Sequence, residues 1–136
     1  MYLIKIEAKT SSIDGLGVFS LEDIKAGNIV WKFNPDHDQT LSQAEFDALD
    51  ENQKQNLRRV AYLSNKTKRW VYPPANDPAL YTNHSNENNL TAIFDESISP
   101  EPFFVANRDI KAGEELTNNY AEFDDLSTDP QAHLFK

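Results

Sequence analysis

The sequence predicts a mainly β domain with a short helical insert. Runs rich in β-branched and aromatic residues lie toward both ends of the chain, and two helix-capping patterns fall between them. Glycine- and proline-bearing stretches separate the pieces. At 136 residues the chain has the length of one domain with its own core.

The elements follow in order. Residues 2–6 (YLIKI) read as a first strand from their branched and aromatic content. In SSIDGLGVFS, Gly15 and Gly17 lead into a strand-like VFS. A dinucleotide fingerprint would open a helix and place a third glycine where Ser20 stands, so two readings remain. The glycines form a tight turn, or they let the backbone come close to a ligand. The pentapeptide DIKAG occurs twice, at 23–27 and 109–113. Each copy predicts a turn in which Gly27 or Gly113 takes a positive φ before a strand restarts.

Residues 28–33 (NIVWKF) read as the next strand. Ser42 and Glu45 form a capping box before a helix over AEFDALD. Asp50 caps a second helix through ENQKQNLRRVAYL, where Leu57, Val60, Ala61 and Tyr62 partly share a face. The insert therefore spans about 41–63. KTKRWVYPPANDPALY is rich in proline and is expected as extended loop. LTAIF (90–94) and FFVA (103–106) read as strands joined by a hairpin-like DESISPEP connection.

Composition narrows the function. Cysteine is absent, which excludes disulfides, thiolate zinc sites and cysteine nucleophiles. The net charge of −9 argues against nonspecific nucleic-acid binding. Lys54, Arg58, Arg59, Lys66, Lys68 and Arg69 form a cationic strip read as a solvated face, and the acidic chain end suits a basic partner. No segment approaches membrane-spanning length, and no signal peptide precedes the first strand. A soluble intracellular protein is expected, cytoplasmic, or in a host nucleus if the source is a virus or an effector. The three histidines make no zinc set, and DHD at 36–38 reads as an exposed turn rather than a metal loop. No metal is expected.

Taken in order, SSIDGLGVFS, DIKAGNIV, YTNHSNENN and FFVANRDIKAGEELTNNY resemble the SET-domain protein lysine methyltransferases over residues 3–123. The specific parts are NHS, followed four places later by Asn89, and GEELTNNY ending in Tyr120. The resemblance implies several small sheets and a knot-like core, with the NHS segment threaded under the loop that ends in Tyr120. It implies S-adenosylmethionine (SAM) as cofactor and the lysine of a protein, in a basic segment, as substrate. Asp14, Gly15, Leu16 and Gly17 match the first cofactor loop, and Asn83 and His84 match the residues that hold SAM. Tyr81 falls where an aromatic residue packs beside the cofactor, Tyr120 matches the catalytic tyrosine, and Phe123 is expected to line the substrate channel. The family commonly has cysteine, proline and aspartate at the places of Asn86, Asn88 and Asn119. No cysteine-rich segment follows residue 123, so residues 124–136, with Phe135, are the expected lid. The alternative from a different class is a catalytically silent SET-like module that binds a basic peptide.

Overall fold

The computed structural model describes residues 1–124. The expected lid therefore lies outside the described residues, apart from Asp124. Among the described residues, ten short strands make three small sheets, with two α-helices beside them. The first has the order β1-β2-β10-β7. It comprises β1 (Ile6–Thr10), β2 (Leu16–Ser20), β7 (Asn83–His84) and β10 (Glu115–Asn118). β3 (Ile29–Trp31), β9 (Phe103–Ala106) and β8 (Leu90–Ile93) form the second, in that order. The third has β6 (Trp70–Tyr72) between β4 (Gln39–Leu41) and β5 (Tyr62–Leu63).

Both DIKAG copies are one structure seen twice. Ile24 and Ile110 exchange backbone bonds of 2.7 and 2.8 Å. Asp23 Oδ1 accepts from the Ala112 amide and Asp109 Oδ1 from the Ala26 amide, each at 2.9 Å. Gly27 and Gly113 have φ of 90° and 94°, as the turn reading requires. The repeat thus records a reciprocal clasp between two turns.

The helical insert carries both expected caps. α1 (Gln43–Asp47) opens with the Ser42–Glu45 capping box. Asp50 opens α2 (Glu51–Val60) with a second box, closed by Gln53. That cap needs extended backbone at Asp50, so α1 stops short of the expected seven residues. Phe46 stacks on Trp70 at 4.2 Å, and with Ala61 and Leu63 they make a small core of their own. The larger core gathers Val18, Val30, Leu90, Phe104 and Leu116 from the other two sheets, Ile110 from the second DIKAG turn, and Tyr62 and Val71 from the third sheet.

Five expectations are corrected. The second helix ends at Val60 rather than Leu63, because Tyr62 and Leu63 pair with Val71 and Trp70 as β5. The first strand is Ile6–Thr10, not 2–6, because β2 offers partners from Ser20 to Leu16 that pair with residues 6–10. Residues 70–72 are not loop: WVY is the central strand of the third sheet, with Trp70 and Val71 fully enclosed. Burial against two neighbours outweighs the proline context, and Pro73 only ends the strand. Asp38 in DHD is 7 % exposed and accepts from the Met1 ammonium and the Asn34 amide, so that turn is anchored inward. The cationic strip is not one face either. Arg58 is buried with its guanidinium over the Phe46 ring, Lys66 pairs with Glu96, and Arg69 bonds Thr40.

Candidate active site

The site begins with a crossing of two segments. β7 runs parallel to β10, with Asn83 opposite Thr117 and His84 opposite Asn118. Asn89 stitches the far end of the loop: its amide donates to the Glu115 carbonyl at 2.8 Å and accepts from the Thr117 amide at 2.9 Å. A buried loop must satisfy its polar groups internally, and asparagine supplies both donor and acceptor. That need accounts for the buried Asn89; Asn83 and Asn88 are half-buried and Asn86 is exposed.

Asn83 ties that crossing to the glycine loop. Its NH2 lies within reach of four oxygens: Ser11 Oγ (3.2 Å), Asp14 O (3.2 Å), Leu16 O (3.1 Å) and Glu115 Oε2 (2.9 Å). Two hydrogens are shared among them, so the group is fully used and the amide carbonyl is left for other work. Glu115 also accepts from Ser11 Oγ at 2.7 Å. A side chain at position 17 would displace the Glu115 carboxylate from Ser11 and Asn83. Gly15, at φ +45°, turns the loop so that Asp14, Gly15 and Leu16 stay exposed beside Asn83.

His84 and Tyr120 form the other half. The Tyr120 amide donates to His84 Nδ1 at 3.0 Å, which puts the imidazole proton on Nε2, facing Asn86 Oδ1 at 3.3 Å. The two rings lie 5.0 Å apart. The Tyr120 hydroxyl donates to the Thr82 carbonyl at 2.9 Å. Burial, and then the charges of Asp124 and Asp14, push its pKa far above the ordinary tyrosine value. The hydroxyl is therefore protonated at neutral pH, and its proton is directed at the Thr82 carbonyl.

Beside Tyr120 lies a cavity of roughly 80 Å³ walled by aromatic rings, among them Tyr2, Trp31, Tyr62, Phe104 and Phe123. Phe123 is 3 % exposed and meets Tyr62, Phe104 and Tyr120 edge-on at 4.9–6.0 Å. Thr82 bridges two tyrosines, since its Oγ1 bonds the Tyr2 hydroxyl at 2.8 Å. Tyr81 is 42 % exposed, on the short 3-10 turn Pro78–Tyr81. The structure thus brings the glycine loop, Asn83, His84, Tyr120 and Phe123 into one region.

Sequence reasoning missed Tyr2, Ser11, Thr82, Glu115 and Asn118. Ser11, Thr82, Glu115 and Asn118 lie inside SSIDGLGVFS, YTNHSNENN and GEELTNNY but were given no role there, and Tyr2 reaches the site through contacts distant in sequence. Among the described residues, His37, Asp38 and Asp77 are the group that could hold a cation, but the Met1 ammonium already sits on Asp38 at 2.8 Å.

Three small sheets around a segment threaded beside the last strand define the class of fold. A family model described as the SET domain matches residues 15–121, and the chain belongs to the SET-domain family. A solved structure of a candidate histone methyltransferase from Plasmodium falciparum is similar in fold, with a TM-score of 0.56. It is 24% identical, over 85% of this chain and 96% of that one. No curated protein sequence matches this chain.

Proposed function

We propose that this protein transfers a methyl group from SAM to the side-chain amine of a lysine in a protein substrate. The observation that carries the reading is the convergence of an exposed glycine loop, the Asn83–Glu115 tie and an aromatic cavity on Tyr120. The loop residues fit the amino-acid end of SAM. The Asn83 carbonyl is an acceptor with no competing bond, and Asp14 stands exposed beside it. Asn83, His84 and Asp14–Gly17 would hold the cofactor, with Tyr81 at its edge. When bound, it supplies an electrophilic methyl on a cationic sulfur.

The chain's own residues address the amine. Lysine has a pKa of about 10.4, so nearly all of it is protonated at neutral pH and has no lone pair to attack with. A largely aromatic cavity walled by Tyr2, Trp31, Phe104 and Phe123 takes the amine partly out of water and so lowers that pKa. The same rings hold the alkyl stem in line, and positioning of this kind supplies much of the rate. Tyr120 stays protonated, so its hydroxyl orients groups at the reacting centre and leaves proton removal to water. The negative net charge favours a basic substrate segment.

Transfer of labelled methyl from SAM into basic peptides, histones and lysates tests the reading. Incorporation into lysine is expected. Absence of SAM binding at millimolar concentration, by calorimetry and by thermal shift, would overturn it.

A further inference from the structure

We propose that Arg59 reads what adjoins the target lysine and takes a carboxylate there. That carboxylate belongs to an aspartate or glutamate next to the lysine, or to the chain end when the lysine is the last residue. The inference rests on the methyltransferase reading for the lysine itself.

Among the described residues that line the aromatic cavity, Arg59 is the one with a charged side chain. The lining sorts by depth. Trp31, Tyr62 and Phe104 are buried, Val60, Tyr72 and Leu80 are half-buried, and Arg59 is exposed, so the open end carries the guanidinium. A lysine that enters with its amine toward Tyr120 leaves its own backbone and its neighbours' side chains at that end.

The other cations of this region are engaged. Arg58 lies over Phe46, Lys66 pairs with Glu96, and Arg69 bonds Thr40. Arg59 has no hydrogen bond, ion pair or ring contact among the described residues. Its place in the last turn of α2 suits the helix dipole, but that benefit needs no cavity beside it. Apolar neighbours at the rim thin the water around the guanidinium and strengthen a charge-assisted bond. The planar fork matches both oxygens of a carboxylate.

Two charge effects then act at different ranges. The net charge of −9 draws a basic segment from a distance, while Arg59 sorts the lysine's neighbours at contact. A cation beside the lysine meets a like charge at the rim, and a carboxylate meets its complement. The expected target is a lysine with an acid beside it inside a basic stretch.

The test titrates acetylated glycine peptides, each holding one lysine, at low salt, followed by amide NMR shifts of cavity residues. The reference peptide is amidated and neutral beside the lysine. Three amidated peptides carry aspartate just before the lysine, just after it, or several places away, and a last peptide ends at the lysine with a free carboxylate. Wild type should bind at least one peptide with an adjoining carboxylate about fivefold more tightly than the reference, the upper end for an exposed ion pair. The peptide that gains most assigns the source of the carboxylate, and the gain should shrink as salt is added. Arg59→Gln should abolish the preference and Arg59→Glu should reverse it; the exposed position lets both fold. The proposal is overturned if no peptide binds wild type, if an adjoining carboxylate gives no gain, if the distant aspartate gains as much, or if either variant keeps the preference. No cofactor or turnover enters this measurement. A protein that shows the preference yet transfers no methyl refutes the methyltransferase reading alone, and one that methylates lysine without it refutes this proposal alone.

Discussion

At the scale of single residues, Tyr120 and Asn83 make the sharpest claims. Tyr120→Phe removes one oxygen and keeps the ring among His84, Phe123 and the cavity wall. Loss of the bond to Thr82 should cost on the order of 1 kcal/mol in denaturant unfolding. On the proposed function, methyl transfer should fall at least ~100-fold while SAM affinity survives. A variant as fast as wild type would make Tyr120 a packing residue. Asn83→Ala should weaken SAM binding, and Glu115→Leu should weaken it too, by removing the shortest of the four contacts to the Asn83 NH2. Calorimetric titration with unchanged affinity in both folded variants would contradict the roles assigned to them. The motif made Asn83, His84 and Tyr120 legible in the sequence. Tyr2 was not, because it gains its place from Thr82, a partner that no local spacing encodes, and Thr82 and Asn118 lay inside the motifs without a role.

At the scale of elements, the DIKAG clasp predicts symmetry in energetics. Asp23→Ala and Asp109→Ala each strip the acceptor from one turn amide, so each should cost about 1 kcal/mol, like loss of a helix cap. Equilibrium denaturation of the two single variants should give matching losses, and a large disparity would argue against equivalent turns. Local signals served well where the chemistry is local. Capping boxes placed both helices, the glycines gave both positive-φ turns, and FFVA was found with its correct ends. Pairing was the harder part. WVY was hidden by its prolines, and the first strand was displaced because its partner, not its own composition, set the register.

For the whole molecule, three tyrosines that wall one cavity share one electrostatic condition. Burial raises the pKa of Tyr2, Tyr62 and Tyr120, so the folded state keeps protons that the unfolded chain releases above about pH 10. The sign follows: this contribution is full below that pH and is lost as pH rises. The part of the tyrosinate absorbance that belongs to these three should therefore appear together with loss of near-ultraviolet circular dichroism in alkaline titration. Ionisation of these tyrosines in a protein still folded would contradict their enclosure. The order β1-β2-β10-β7 also bears on how the chain is made. β2 leaves the ribosome some 95 residues before β10, the strand that lies between it and β7. At about 5–20 residues per second, the emerging β1–β2 hairpin waits roughly 5 to 20 seconds with an open edge. A nascent chain stalled before residue 115 has no first sheet to complete, and its exposed edges make it a client for chaperones.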